Sequence, residues 1–293
     1  MEEDYLIRAL AKETGVRALI CVTTQTAREG AQRHGAAATP AAALGRALTA
    51  GALMGALLKI QQRVALKFEG NGPLRKLVVE SNSYGKVRGY VLEPTADVPL
   101  RRDEPDVAQA LGAAGLLTVV KDLRLKELAE SVVPLATSDI AGDLEAYLVQ
   151  SEQVPSLVQI GVRLNPAGEI VAAGGLLLQS MPPHEADSLT PFREQLQELP
   201  PIGNMLLTGQ RPESILQEIF GSTPYTILEK RPLIFRCACS WERGEKALVS
   251  LGRAELAELL EEEGEAVVEC HFCHEQYIYD QAALTALLQR LAS

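Results

Sequence analysis

Four of the five cysteines fall in two tight pairs near the end of the chain: Cys237-Ala-Cys239, then thirty intervening residues, then Cys270-His-Phe-Cys273. No other feature restricts the fold as strongly, because four soft ligands in two pairs call for a chain that folds back to bring them together. Tetrahedral coordination of Zn²⁺ by four thiolates is the chemistry this donor set fits. A terminal module of about sixty residues has too small a core to be comfortably stable alone. Bound zinc can add apparent energies on the order of 10–16 kcal/mol. Four cysteines complete a closed site, which leaves no open position for a hydrolytic water. His271 and His274 flank the second pair and are alternative ligands only if a cysteine is displaced.

The single-residue gap in Cys237-Ala-Cys239 is unusual, since structural zinc knuckles space their cysteines by two or more residues. Cysteines this close can oxidise to disulfides in small, strained rings, and strained, exposed disulfides are the regulatory kind. Peroxide or hypochlorous acid would attack a thiolate, give a sulfenic acid, and leave a disulfide with a close neighbour. Losing the metal would then remove the module's fold. The spacing therefore points to a redox switch with an order-to-disorder output as well as to a permanent zinc staple.

The rest of the chain excludes several classes. At 293 residues it should hold about two domains, at roughly one per ~150 residues. A net charge of −10 argues against a general binder of nucleic acid or anionic membrane. From Lys230 onward there are seven Lys/Arg against eleven Asp/Glu, the wrong balance for gripping phosphates. The opening MEEDYLIRAL lacks the pattern of a signal peptide, so a cytoplasmic location and reduced thiols are expected. Residues 36–58 carry one charge, Arg46, yet a mid-span arginine and the Thr39-Pro40 helix start favour a buried soluble helix over a membrane span. Phosphate loops, dinucleotide-binding fingerprints and nucleophile–base constellations are absent, so an ordinary enzyme is not indicated.

Periodicity predicts a short helix over 4–12 and a buried strand over 16–24 that carries the lone Cys21 as a packed core cysteine. A helix starts at 27–33. The central helix over 39–60 uses its glycines and alanines for close approach. A β-meander follows at 64–69, 74–80 and 87–92, then strands at 115–123 and 132–135 and a helix over 140–150. Residues 156–164 and 169–179 form a hairpin, in which Gly174-Gly175 marks a bulge or a close backbone contact. Short helices at 190–199 and 212–220 carry too little apolar surface to stand alone. A strand pair over 226–236 interrupted at Pro232, a helix over 253–263, a strand at 266–269 and a last helix capped by Asp280 complete the chain. The expected fold class is α+β. An N-terminal α/β domain with a β-meander and buried helix spans 1–179, a helical linker 180–230, and a small C-terminal four-cysteine zinc-binding redox-switch domain 231–293.

Phe235-Arg236-Cys237-Ala238-Cys239-Ser240 and Cys270-His271-Phe272-Cys273 resemble the redox-regulated 33 kDa chaperonin family of bacteria. The likeness extends through Ala43-Leu44-Gly45-Arg46-Ala47-Leu48-Thr49, Gly72-Pro73-Leu74, Val87-Arg88-Gly89-Tyr90-Val91, Ser151-Glu152-Gln153-Val154-Pro155-Ser156 and Ala172-Ala173-Gly174-Gly175. Trp241 and His274 depart from the family's usual residues but lie outside the four sulfur positions. The resemblance implies an ATP-independent holdase, inactive when reduced and zinc-bound at Cys237, Cys239, Cys270 and Cys273. Oxidation would form Cys237–Cys239 and Cys270–Cys273 disulfides, release zinc, unfold the C-terminal module and destabilise the linker. Its partners would be unfolded client proteins and, when oxidised, a second copy of itself. Two rivals remain: a constitutive zinc-ribbon binding module, and a thiol–disulfide oxidoreductase using Cys270 and Cys273. The latter lacks the strand-to-helix setting that such a motif requires.

Overall fold

A computed structural model describes residues 3–96, 98–101, 104–184 and 186–291. The chain opens with β1 (Tyr5–Ala11), β2 (Val16–Val22), α1 (Thr24–Arg33) and α2 (Ala38–Ala56). Next come β3 (Arg63–Gly70), β4 (Lys76–Asn82), β5 (Lys86–Val91), α3 (Val107–Leu111), β6 (Gly115–Asp122), β7 (Ala129–Pro134) and α4 (Ala141–Gln150). The hairpin β8 (Ser156–Leu164) and β9 (Ile170–Ser180) precedes α5 (Thr190–Glu198), α6 (Ile202–Leu207) and α7 (Pro212–Phe220). After β10 (Thr226–Pro232) and β11 (Ile234–Phe235) come α8 (Trp241–Leu251), α9 (Arg253–Glu262), β12 (Ala266–Glu269), β13 (Gln276–Tyr279) and α10 (Gln281–Arg290). The mixed α+β class is as expected. The chain divides into two compact units between Arg236 and Cys237.

The first unit holds two sheets with α2 in contact with both. One is antiparallel in the order β10-β1-β2-β9-β8; the other runs β11-β5-β4-β3-β6-β7 and is antiparallel except for β11 beside β5. Nearly every residue of α2 is buried. Its small residues make that possible: a Cβ on Gly51 would come within 2.4 Å of Val79 in β4. From the other sheet, a Cβ on Gly175 would come within 2.8 Å of Thr49. The Gly174-Gly175 pair is thus a close backbone approach, with the β2–β9 register continuous through it. No helix among the described residues is long and apolar enough to cross a membrane.

The two sheets differ in how legibly they read. Val64, Leu66 and Phe68 of β3 are buried while their neighbours are half-exposed, the alternation of a sheet with one covered face. The first sheet is covered on both faces. Its far side, with Ile7, Ala9, Ala11, Val16, Ala18, Ile20, Leu157, Leu176 and Leu178, is packed by Leu189, Phe192, Ile202, Met205, Ile215, Leu216, Ile219 and Phe220. This corrects the helix expected over 4–12. That stretch is the strand β1, whose near-continuous apolar run reflects two buried faces and so lacks the period-two signal.

The segment 180–230 therefore folds against the first sheet. Its end and the chain just beyond it are sewn into both sheets of the first unit. Strand β10 pairs antiparallel with β1, Leu233 N donates to Asp4 O at 2.9 Å, and β11 pairs parallel with β5. Ile234 N donates to Gly85 O at 3.0 Å and Arg236 N to Val87 O at 2.8 Å, one residue before Cys237.

The second unit is small. Its core is Leu248, Leu256, Ala266, Tyr279, Leu284 and Leu287, with Leu259, Leu260, Val268, Tyr277, Leu288 and Leu291 around it. Helix α8 and strand β13 carry no expectation from periodicity. Strand β13 is four residues long and pairs with β12 in register Val268↔Tyr277.

A four-sulfur centre in the second unit

Cys237 and Cys239 lie on the extended segment before α8, and Cys270 and Cys273 on the turn joining β12 to β13. The turn is tight. Cys273 N and His274 N both donate to Cys270 O, at 3.2 and 2.8 Å, and Cys270 N donates to Glu275 O at 3.0 Å. His274 closes it in the left-handed region with φ 55°. The four Sγ atoms all lie within 4.8 Å of one another. Two contacts join the two pairs: Cys237 to Cys270 at 3.6 Å and Cys239 to Cys273 at 3.4 Å.

That arrangement fits the donor set of a metal ion. A tetrahedron of sulfurs about Zn²⁺ at ~2.3 Å has edges of about 3.8 Å, close to the spacing found. The electrostatics point the same way. Burial pushes the Cys270 and Cys273 thiols up, and for Cys273 the other three sulfurs push in the same direction. Four thiols this crowded ionise together only if a cation sits among them. Neither His271 nor His274 belongs to the converging group. The Nδ1 of His274 instead pairs with the carboxylate of Glu269.

The sulfurs are set among hydrogen-bond donors. Cys270 accepts from the backbone N–H of Phe272, and Cys273 from that of Glu275. Cys239 Sγ accepts a side-chain bond from the Tyr277 hydroxyl at 3.2 Å. Tyr277 escapes sequence reasoning because a four-residue strand has too few positions to show alternation; its place three residues after His274 was the available clue. Trp241, the only tryptophan, packs on Tyr279 with ring centroids 4.1 Å apart and the rings tilted by 38°, and the Tyr279 hydroxyl donates to its carbonyl at 2.6 Å. Cys21 lies elsewhere, fully buried in β2, where burial pushes its thiol up to about 12. It packs the core and is chemically quiet.

A family model described as Hsp33 protein matches residues 4–280. The 33 kDa chaperonin of Geobacter sp. strain M21 is 48% identical over 290 residues, covering 99% of this chain and 98% of its own. That of Bacillus subtilis strain 168 is 41% identical over 285 residues, 97% of this chain and 98% of its own. The crystal structure of the 33 kDa chaperonin of Thermotoga maritima matches with a TM-score of 0.91 at 33% identity, over 99% of both chains. The match runs from the first strand through all four sulfur positions, and on that footing the chain belongs to the Hsp33 family.

Proposed function

We propose that this protein is a redox-regulated, ATP-independent holdase of the cytoplasm that keeps unfolding and oxidatively damaged proteins from aggregating. Membership of a family whose relatives are named chaperonins supports the chaperone role, and that family is not an enzyme class. The convergence of two close cysteine pairs on one point carries the regulatory part of the reading. A bound Zn²⁺ would hold all four sulfurs as thiolates and add folding energy to a unit with a small core.

The switch follows from the chemistry of the sulfurs. A thiolate attacks one oxygen of hydrogen peroxide, giving a sulfenic acid and hydroxide. A second thiolate then displaces hydroxide from that sulfur, closing a disulfide, so two thiolates supply the two electrons the peroxide takes up. Closing Cys237–Cys239 and Cys270–Cys273 leaves no thiolate to bind metal, and the second unit loses the ligation that its small core depends on. Unfolding there frees the chain just after Arg236, whose N–H is the last tie of β11 to β5. Release of that strand and of α5–α7 uncovers Ile7, Ala9, Ile20, Leu176 and Leu178, an apolar sheet face for capturing clients. The oxidised form would dimerise on the surface so exposed.

The decisive experiment treats zinc-loaded protein with peroxide at mild heat. It follows metal release with a chromogenic chelator and the aggregation of a denatured client by light scattering. Zinc release with suppression of aggregation is expected, the reduced form being inactive. Release without suppression would leave a zinc-ribbon module and end the chaperone reading. Equal suppression by the reduced form would remove the switch, and catalytic turnover of disulfide substrates would favour an oxidoreductase.

A further inference from the structure

The four sulfurs are not equivalent in what holds them. Cys270 and Cys273 accept from the backbone N–H groups of their own turn. Cys239 accepts from a side chain, the Tyr277 hydroxyl 3.2 Å away. Strand pairing places that hydroxyl: Tyr277 is locked opposite Val268 in the β12–β13 ladder, and its ring packs on the core of the second unit. The donor therefore has little freedom to leave while the unit is folded, and it goes when the unit unfolds.

We propose that Tyr277 is a positioning residue that sets how readily Cys239 is oxidised, by donating a hydrogen bond to its sulfur, one of the two in the pair that can attack peroxide. A hydrogen bond to a thiolate draws electron density from the lone pair that attacks peroxide, and the donor oxygen occupies one side of the sulfur's approach. The reaction is otherwise unchanged: Cys239 Sγ takes one peroxide oxygen, the other leaves as hydroxide, and a neighbouring thiolate later displaces the sulfenic hydroxyl. The folded unit thus carries a brake on its own oxidation, applied through one hydroxyl on one sulfur. The inference rests on the zinc-thiolate reading of the centre.

Tyr277→Phe tests it, since the ring and its packing stay and only the donor goes. Zinc-loaded full-length protein is exposed to limiting peroxide with dimedone present, and sulfenic acid trapping is read at each cysteine by peptide mass spectrometry. Labelling of Cys239 should rise about three- to tenfold, the worth of one net hydrogen bond, with Cys270 little changed. Zinc content and thermal midpoint should match the parent. Labelling that rises equally at all four cysteines would mean general loosening, and unchanged Cys239 labelling would mean no brake; either overturns the proposal. If Tyr277→Phe fails to hold zinc, 3-fluorotyrosine at position 277 decides. This stronger donor of the same shape should slow Cys239 labelling, and an unslowed rate sinks the idea. A parent protein that binds no zinc would instead remove the reading beneath it. A parent that releases zinc on oxidation while the variant matches it sulfur by sulfur would remove only the role of Tyr277.

Discussion

Glu213 of α7 accepts from the Tyr5 hydroxyl of β1 at 2.6 Å and from Lys230 Nζ of β10 at 2.9 Å, while Lys230 Nζ sits 3.9 Å from the centre of the Tyr5 ring. One carboxylate thus ties a helix of the 180–230 segment to two strands of the first sheet. Burial pushes Glu213 up, but the bonds from Tyr5 and Lys230 outweigh it and hold the carboxyl below its usual value. The sign follows from linkage. A carboxyl whose folded value lies below its unfolded one contributes stability that is fully present above the unfolded value, about 4.3, and is lost as pH falls through the folded value. Glu213→Gln should therefore cost about 1 kcal/mol or less near neutrality, because the pair is partly exposed and screened. The gap from the parent should narrow as the pH drops below about 4.3. Urea midpoints of both proteins at pH 7 and at acid pH check this, and a gap that is the same at both sinks it.

Among the elements, legibility tracked how many faces were buried. Strands β3, β4 and β5 alternate in sequence because one face of their sheet is half-exposed, and their positions could be read directly. Strand β1 could not: Leu6, Ile7, Ala9 and Ala11 are all fully buried, and a run without alternation looks as much like a helix as a strand. The cysteine centre was legible for a different reason, since ligand chemistry marks itself by residue type and spacing. The donor to Cys239 was not, because hydrogen bonding across a short hairpin depends on register. The run β10–β11 was legible as strands interrupted at Pro232, but not as a stitch joining two sheets. That role makes it testable. Ile234→Pro removes the N–H that reaches Gly85 O, and leaving that acceptor unmet costs about 1–3 kcal/mol. The 180–230 segment should then exchange its amides faster, and the reduced, zinc-loaded protein should suppress client aggregation without oxidant. Unaltered hydrogen exchange over α5–α7 would show that β11 does not help to hold the segment down.

At the level of the whole chain, the two units differ in what keeps them folded. The first has two sheets and a buried helix, and its core includes large side chains such as Phe68, Leu44, Leu48, Leu53 and Met54 with essentially no exposure. Among the described residues the second relies on a core cluster of six buried side chains and on four sulfurs, and a unit of about that size rarely supplies more than 3–5 kcal/mol from its core alone. Metal removal under reducing conditions should therefore unfold the second unit and leave the sheets of the first in place. Trp241 lies in the second unit, 39% exposed and packed at a tilt on Tyr279, so its fluorescence reports that unit alone. Circular dichroism is dominated by the larger unit. On titration with a strong chelator and reductant, Trp241 emission should shift to the red in one transition while most of the β-sheet signal persists. Heating should then show a second transition at the higher temperature of the first unit. Re-adding zinc to the reduced protein should reverse the fluorescence change, because the sulfurs are still thiols; after peroxide it should not, because disulfides cannot ligate. A single cooperative loss of both signals would mean that the first unit depends on the second for its own fold. The unfolding that frees the capturing surface would then destroy the sheet meant to present it.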